Sequence, residues 1–416
     1  MVQKKFKLIW SVLIVFVVVL ALAIPSFSAK SKTEIVFWNL FGGGEGDFVD
    51  KIVNDFNNSQ SDVAVKPLRL EWNEYYTKFG VSLASGKGPD VAVCHIDRLA
   101  PFVKAKQLAG LDGVTKKAGF SYGDIADNLA NAVKYGSNHY AVPIDTHFHM
   151  LYYHKDILKK ADLLNVDGTP KLTATPEGFK KFLQQIKDRV PDVTPMPVNT
   201  PYFHEPFYNL YYEAGGDILN AKLTKAAINN SKALAVLKFY MDLYAGGLSD
   251  INDKNPWQTF SDKKGALWIG GVWEAGNHFT AGSDTAAIPL PPIFGSPVHW
   301  CSSHTLVVPA YVNKDKQIAA MKFMKYYVDK GGYLWGQAGH VPAGKKVAAS
   351  SEYNSLPYRK FFVEAQKTVK FAPKTDKYNA VDTTVKESLQ NIIFKKVTPE
   401  AGLREMEKAI NDILAQ

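Results

Sequence analysis

Apolar positions along the chain follow two alternating periods, one typical of strands and one typical of helices. The run EIVFWNL at residues 34–40 is short and rich in β-branched and aromatic residues, as strands are. Between Phe48 and Phe56 the apolar residues instead recur at the spacing of one helix face. The next runs repeat this order: DVAVKPLRLEW predicts a strand, NEYYTKFGVSLASGKG a helix and PDVAVCHID a buried strand. Strands joined through helices pair in parallel, so the pattern predicts an α/β fold with a mostly parallel sheet flanked by helices.

Capping residues mark further helices in the second half of the chain. Thr175 and Thr398 each stand before a Pro-Glu pair, which combines an N-cap, a proline at the first helical position and an acid in the first turn. The runs SKALAVLKFYMDLYAGG and DKQIAAMKFMKYYVDKGGYLWGQAGH predict two more helices, the first closed by Gly246 and Gly247. A chain of 416 residues suits two or three domains, and this pattern favours about two α/β lobes.

The first 28 residues have the layout of a secretory signal peptide. A basic start precedes an apolar run at residues 8–24, and Ser26 and Ser28 suit the small-residue positions before a cut at Ala29. We therefore expect an exported, periplasmic protein, or a membrane-tethered one if the segment is not cleaved. A bacterial lipoprotein would require a cysteine directly after the cut, and none stands there.

Charge and cysteine content exclude several functional classes. The net charge of +9 is spread along the chain, without the Lys/Arg run that nucleic-acid binding requires. Cys94 and Cys301 show neither CxxC nor Cys/His zinc spacing. In an exported protein they either form one disulfide or remain two buried thiols. We expect no nucleic-acid partner and no cofactor.

Motifs for nucleotide binding and hydrolysis are absent or incomplete. GGGEGD after the first predicted strand places Asp47 where the dinucleotide fingerprint needs a glycine, and GVSLASGKG misses the phosphate-loop spacing. No G-x-S-x-G or H-E-x-x-H sequence occurs. An exported glycoside hydrolase remains the alternative from the enzyme class, because acids that could form its catalytic pair are present: Asp97, Asp145, Glu205 and Glu274.

The stretch PIDTHFHMLYYHKD at residues 143–156 carries three histidines. Strand alternation puts Asp145, His147 and His149 on one face and His154 on the other, so one ion cannot bind all three imidazoles. A zinc site at His147 and His149 would need two further ligands. We therefore expect no metal site.

Tryptophans at the ends of predicted elements suggest a ligand. Trp38, Trp273, Trp300 and Trp335 each stand beside glycine, serine or a polar residue. Flat aromatic rings with nearby polar groups suit the C–H faces and hydroxyls of sugars. We expect the remaining candidates to be structural: Trp72, Trp257 and Trp268.

Several segments, in their order and spacing, resemble the extracellular solute-binding proteins of sugar ABC transporters, the family 1 type to which the maltose-binding protein belongs. GKGPDVAVCHIDRLAPFVKAKQLAGLD resembles that family's strand–loop–helix segment with an Asp-Arg pair at the cleft edge, here Asp97 and Arg98. GSNHYAVPIDTHFHMLYYHKDIL resembles its first crossover between lobes. TPEGFKKFL, KKGALWIGGVWEAG and TLVVPAYVNKDKQIAAMKFMKYYV continue the resemblance, which covers essentially the whole chain after residue 28.

The resemblance implies a periplasmic-binding-protein fold. Two α/β lobes, each with a mostly parallel sheet flanked by helices, are joined by hinge crossovers and close on the ligand. The N-terminal lobe would comprise residues 29–143 and 299–338, and the C-terminal lobe residues 144–298 and 339–416.

The resemblance also implies where the ligand binds. Trp273 matches a stacking aromatic that follows a glycine pair, and Asp97 matches a ligand-side acid. The family's cleft carboxylate falls on His147 here, which moves that role to Asp145 or changes the sugar recognised. The other residues expected to bind ligand follow the first strand, match the Asp-Arg pair, occupy a second stacking position or lie near the later crossovers: Trp38, Asn39, Gly43, Arg98, Tyr202, Phe203, His204, Trp300, His304, Trp335 and His340.

The implied function is non-enzymatic binding of a carbohydrate. The resemblance implies that this ligand is an oligosaccharide and that it is delivered to the membrane permease of an ABC transporter. We expect the binding protein to be a monomer. The same trap with a glycerol phosphate ester, a polyamine or a metal ion as cargo remains an alternative, as does the hydrolase. A phosphate ester would require a cleft arginine, and Arg98 alone is well placed for it.

Overall fold

The computed structural model describes residues 32–279 and 283–416. The predicted signal peptide lies outside the described residues. Thirteen strands are numbered in chain order: β1 Thr33–Asn39, β2 Val63–Arg69, β3 Val91–His95, β4 Lys134–Tyr135, β5 Asn138–His139, β6 Val142–Pro143, β7 Asp145–His154, β8 Leu267–Gly271, β9 Thr285–Pro289, β10 His299–Ser302, β11 His304–Val307, β12 Val341–Pro342 and β13 Val369–Phe371.

Helices surround these strands. The α-helices are α1 Gly43–Ser59, α2 Trp72–Ser85, α3 Leu99–Lys104, α4 Asp112–Ala118, α5 Asp127–Ala132, α6 Lys155–Lys160, α7 Pro176–Arg189, α8 His204–Glu213, α9 Ser231–Ala245, α10 Pro256–Ser261, α11 Ala275–His278, α12 Lys314–Tyr326, α13 Gly332–Ala338, α14 Lys345–Ala348, α15 Ser351–Asn354, α16 Arg359–Ala365, α17 Tyr378–Ile393 and α18 Pro399–Leu414. Short 3₁₀ turns cover Ile96–Arg98, Tyr122–Asp124, Thr200–Tyr202, Val272–Glu274 and Gln366–Thr368.

The predicted helix starts are confirmed by their caps. Thr175 Oγ1 accepts a hydrogen bond from Gly178 N at 3.0 Å, and Thr398 Oγ1 accepts one from Ala401 N at 3.2 Å. The single helix predicted after residue 314 is instead two helices, because a π-helical turn at Tyr327–Gly331 separates α12 from α13.

The first sheet has the strand order β2-β1-β3-β11-β6. β1 pairs in parallel with β2 and β3, as the strand–helix–strand pattern predicts. β11 returns from the other half of the molecule and pairs antiparallel with β3 and β6. Apolar side chains from both faces form one core, which also includes residues from α12 and α13 such as Phe323 and Trp335.

The second sheet corrects part of the predicted topology. Its long strand β7 pairs antiparallel with β8, β9, β10 and β12. Strands β10 and β13 pair in parallel. The prediction of a mostly parallel sheet is therefore wrong for this half, although the two-lobed α/β class is confirmed. The physical reason is that β7 and β12 enter this sheet from crossovers and β10 leaves it at one, whereas the prediction assumed successive strands joined through helices.

Three crossovers connect the two sheets. Ile144 separates β6 in the first sheet from β7 in the second, and Ser303 separates β10 from β11. In the third, Gly339 and His340 lead from α13, which packs on the first core, to β12 in the second sheet. Gly339 has φ +137°, and a Cβ there would lie 2.2 Å from Val272 O, so this crossover requires glycine. The domain boundaries given above remain a prediction.

Two further expectations concern cysteines and membrane spans. Cys94 and Cys301 are both buried, and both are free thiols. Across residues 32–279 and 283–416, no helix combines the length and apolar character needed to cross a membrane.

Candidate functional site at the hinge

A buried carboxylate lies at the centre of the crossovers. Asp145, at the start of β7, has no solvent exposure, and its two oxygens accept several hydrogen bonds. Oδ1 accepts from His304 N at 2.9 Å and from His147 Nδ1 at 3.1 Å. Oδ2 accepts from His304 Nδ1 and from Trp335 Nε1, each at 2.7 Å. Both oxygens are thus occupied by protein groups, and the direct sugar contact expected for Asp145 stays a prediction.

The crossovers explain why these side chains meet. Asp145 follows the first crossover directly, His304 follows the second directly, and His340 is the last residue before β12. Strand pairing holds them in register, since Pro342 lies opposite Asp145 and Ser302 lies opposite His147. Each connection between the sheets therefore supplies one polar side chain to a single cluster.

Burial and charge act against each other in this cluster. Burial alone would raise the pKa of Asp145, but the adjacent His304 and its hydrogen bonds hold that pKa well below its usual range. Burial also opposes the charge of His304, yet Asp145 raises the pKa of His304 above its ordinary value. Burial, assisted by His304, lowers the pKa of His147 to about 4. The cluster thus holds an ionised carboxylate and a neutral His147 at neutral pH, and the carboxylate favours the protonated form of His304.

The first sheet extends the cluster with a row of aromatic groups. His95, at the end of β3, lies 4.6 Å from the His304 ring, centroid to centroid. Its Nδ1 accepts a hydrogen bond from the Tyr76 hydroxyl at 2.5 Å. The Arg98 guanidinium lies 4.3 Å above the Tyr76 ring, and the half-exposed Trp72 ring meets His95 edge-on at 5.3 Å. Burial, followed by the charge of His304, lowers the pKa of His95 well below its ordinary value, so this ring is neutral.

The second sheet adds two tryptophans on the other side of His147. The Trp273 ring lies 5.5 Å from both His147 and His149. His149 stacks on Trp300 with centroids 5.1 Å apart, and its Nε2 lies 3.4 Å from Glu205 Oε2. Both tryptophans are partly exposed, so their rings are accessible to a ligand.

Local packing explains the position of Trp273. Glu274 accepts hydrogen bonds from Gly271 N at 3.1 Å and from Trp268 Nε1 at 2.7 Å, which fixes the turn after β8. The Trp273 ring folds back over Gly271, where an added Cβ would lie 2.1 Å from a ring atom. At Gly270 a Cβ would lie 2.0 Å from Trp268 Nε1. The glycine pair before Trp273 is therefore a requirement of these two indole rings.

Asp97 bridges the two sheets. It follows β3, and its Oδ1 accepts a hydrogen bond from Ser302 Oγ of β10 at 3.0 Å. Burial raises the pKa of Asp97, and Arg98 partly offsets this. A cavity of about 200 Å³ lies beside it, lined by residues of both halves of the molecule: Ile96, Asp97, Ala100, Ala132, Tyr135, Phe371, Ala372, Pro373 and Lys374.

The segment at residues 202–204 is not part of this cluster. Phe203 is fully buried in the core of the second half, where its ring contacts Tyr240. Tyr202 is 45% exposed beneath the Lys386 ammonium group. His204 is buried and lies 3.9 Å from Asp382 Oδ2.

Residues after the first strand support the cluster from one side. Asn39 is buried and accepts a hydrogen bond from Phe41 N at 3.3 Å, and Phe41 packs against His304 and Trp335. Trp38 is partly buried and packs against the core of the first half. Gly43 has φ +50° where α1 begins. The first turn of α1 carries Glu45, whose Oε1 is 2.7 Å from His340 Nε2.

Several members of the site were not among the predicted ligand-binding residues. They are Glu45, Trp72, Tyr76, His95, His149 and Glu205. Strand alternation had placed His149 on the face of Asp145 and His147, so a signal existed for it. No local pattern marks the others, because their partners come from other elements. The expectation of no metal site considered one strand only, whereas the fold brings ligand atoms of Asp145, His147, His304 and His340 within 4.8 Å of one another.

Two lobes joined by three crossovers, with aromatic rings and polar groups between them, give the architecture of a two-lobed binding protein. Residues 51–360 match the family model for bacterial extracellular solute-binding proteins, which covers most of the chain. The chain belongs to that family.

Individual relatives are more distant. The maltodextrin-binding protein MdxE of Bacillus subtilis is 24% identical over 261 residues, 59% of this chain and 57% of MdxE. The sn-glycerol-3-phosphate-binding periplasmic protein UgpB of Rhizobium meliloti is 27% identical over 161 residues, 37% of this chain and 36% of UgpB. The chain thus aligns with about a third to just over half of these relatives' lengths. The GacH receptor of Streptomyces glaucescens shares the fold with a TM-score of 0.81 at 21% identity, covering 92% of this chain and 99% of GacH.

Proposed function

We propose that the protein binds an oligosaccharide between its two lobes and delivers this carbohydrate, chemically unchanged, to the permease of an ABC transporter. The observation that carries this proposal is the pair of partly exposed rings, Trp273 and Trp300, with His149 between them and Glu205 beside it. Indole rings stack on the C–H faces of a sugar, while an ionised carboxylate accepts its hydroxyls in strong hydrogen bonds.

Charge supports this assignment of Glu205. Burial would raise its pKa, but the hydrogen bond from His149 lowers it below its ordinary value, so the carboxylate is ionised at neutral pH. Asn209 Nδ2 donates to His149 Nδ1 at 2.7 Å, which leaves the His149 proton on Nε2, facing Glu205. The site therefore has a defined acceptor, Glu205, beside two stacking surfaces.

The first lobe supplies the opposing surface. Trp72 is 51% exposed, and Arg98 lies on Tyr76 at 4.3 Å, so an aromatic ring and a cation face the cleft from this side. In the proposed cycle these groups and the Trp273 side close around the sugar by hinge motion at the three crossovers. The proposal includes export of the protein and monomeric function.

A phosphate ester is the second candidate cargo, because UgpB of Rhizobium meliloti is a glycerol-3-phosphate-binding protein and Arg98 is available. Arg359 does not add to such a site. Its guanidinium is buried and donates to Gly336 O at 3.2 Å and to Gln337 O at 3.4 Å. One arginine on an aromatic ring fits a sugar edge at least as well as a phosphate.

A thermal-unfolding panel with the exported protein in EDTA tests the choice. The ligands are oligosaccharides of several linkages, glycerol 3-phosphate and spermidine. A ligand at 100 times its Kd adds about 2.7 kcal/mol to the free energy of unfolding. We expect a shift with one oligosaccharide series and recovery of the sugar intact. A shift with glycerol 3-phosphate alone would favour the second candidate, and consumption of the sugar would identify a glycoside hydrolase.

A further inference from the structure

We propose that Asp145, His147, His304 and His340 form a binding site for a first-row divalent metal ion, with Zn²⁺ the best match, at the hinge between the lobes. One nitrogen or oxygen of each residue lies within 4.8 Å of those of the other three. All four side chains are buried. Three imidazoles and one carboxylate are a donor set that Zn²⁺ takes in tetrahedral geometry.

His340 provides an independent indication of a missing cation. Its Nε2 is 2.7 Å from Glu45 Oε1, so this nitrogen carries the proton. Its Nδ1 has no solvent exposure and no hydrogen-bond partner among the described residues, although it lies 3.3 Å from Asp145 Oδ2. A buried nitrogen without a hydrogen-bond partner thus lies beside a carboxylate oxygen, and a bound cation would bridge these two atoms.

The surrounding contacts are those of a metal site. Ligating histidines usually donate their second N–H to a carboxylate, which orients the ring, and Glu45 accepts this bond from His340. Trp335 Nε1 holds Asp145 Oδ2 at 2.7 Å and fixes the carboxylate in the same way. Bonds of about 2.0–2.1 Å in a tetrahedron place ligand atoms about 3.3 Å apart, so the rings close in slightly around the ion.

The position in the fold gives the ion a role. Asp145, His304 and His340 belong to three different crossovers, so one ion bonded to all of them ties the three hinge segments together. The site adjoins the proposed sugar surface, since the His147 ring lies 5.5 Å from Trp273, but it shares no residue with the Trp273 and Trp300 pair and does not depend on the carbohydrate assignment. A bound ion would fix the relative positions of the lobes and change how readily they open.

Zinc titration of the untagged exported protein, stripped with EDTA and dialysed, tests the inference in competition with a chromophoric chelator. We expect one equivalent of Zn²⁺ with release of protons, because metal replaces protons on the imidazoles. His340→Gln should weaken binding at least about tenfold, and Glu45→Gln about 10–100-fold through the orientation of His340. Co²⁺ should give the visible absorption of a tetrahedral site, a readout independent of stability.

The matched control is His299→Gln. His299 is also buried and has an unpartnered Nδ1, but it lies outside the group of four ligands. This variant should bind Zn²⁺ as the parent protein does. Failure of the parent protein to bind one equivalent would overturn the inference and leave a cluster held by protons alone. Unchanged affinity in both His340→Gln and His304→Gln would overturn it as well.

Discussion

Asp145 and Glu213 are both buried carboxyl groups, yet their surroundings give them opposite charge states. Asp145 has no exposure and Glu213 is 2% exposed. The electrostatic effect of His304 and the hydrogen bonds to Asp145 keep its pKa well below the usual range despite burial. Glu213 Oε2 accepts one bond from Phe294 N at 3.1 Å, while Oε1 has no partner within residues 32–279 and 283–416, and burial raises the pKa of Glu213 to about 9. Burial raises the free energy of the ionised carboxylate, and the neighbouring hydrogen-bond donors and charges decide whether that penalty is offset.

Asp97 lies between these extremes. It is partly buried, with one hydroxyl donor from Ser302 and a neighbouring Arg98, and burial raises its pKa. Asp145 accepts four hydrogen bonds, Asp97 and Glu213 accept one each, and the neighbouring Arg98 distinguishes Asp97 from Glu213. Asp145 belongs to the hinge, Asp97 to the contact between sheets, and Glu213 to a helix end next to the β9–β10 connection.

Asp145→Asn should produce the largest loss. The substitution replaces a buried, ionised carboxylate by an amide whose NH₂ group cannot accept from the surrounding donors, and removing one partner of a buried pair costs about 3–5 kcal/mol. Urea unfolding in EDTA measures the change. Asp162→Asn, which alters an exposed ion pair with Lys171, is the control and should leave the unfolding midpoint in place. Equal effects of the two variants would show that the hinge carboxylate is not ionised and paired.

Glu213→Gln should change the pH dependence of stability. The folded pKa of about 9 lies above the ordinary value of 4.5, so between these values the folded state keeps a proton that the unfolded state loses. Stability should therefore fall as pH rises through this window, by up to about 1.4 kcal/mol per pH unit from this group. Glu213→Gln should lack this contribution to the loss of stability with rising pH.

Unfolding measured at several pH values between 5 and 9, an interval of about 4 units that spans most of the expected titration, decides this point. Glu400→Gln, at an exposed position on α18, should keep the pH dependence of the parent protein. If Glu213→Gln and the parent protein lose stability in parallel, Glu213 is ionised in the folded state and the contrast with Asp145 fails.

Ser302→Ala should have the smallest effect. It removes one hydrogen bond to Asp97, and such bonds contribute about 1 kcal/mol. Urea unfolding should show a loss of that size, with Ser137→Ala at an exposed turn as the control. A loss as large as that of Asp145→Asn would mean that the contact between sheets, and not the hinge cluster, holds the two halves together.

The sequence predicted the local features of this site better than its assembly. The glycine pair before Trp273 and the Asp-Arg pair at residues 97–98 are contiguous, so their pattern was visible. The partners of Asp145 were not visible as a set, since His304 is 159 residues away and Trp335 is 190 residues away. Only the pairing of strands from separate crossovers brings them together.

The sequence pattern was likewise unable to show the direction of the returning strands and the orientation of side chains at the start of a helix. Alternation of strands and helices predicted the parallel pairs of β1, but it could not show that β10 and β12 return antiparallel to β7. At residues 202–204 the chain turns into α8, and that turn directs Phe203 into the core while Tyr202 faces solvent. Three adjacent ring-bearing residues therefore have three different environments.

The most direct test of the carbohydrate proposal is a calorimetric titration of the oligosaccharide selected by the unfolding panel, into the parent protein and Trp273→Ala. We expect Trp273→Ala to bind at least tenfold more weakly, equivalent to about 1.4 kcal/mol, because one stacking surface is lost. Trp257→Ala removes a partly buried indole that lies against His278, and it should bind as the parent protein does. Equal affinity of Trp273→Ala and the parent protein would contradict the proposed sugar site.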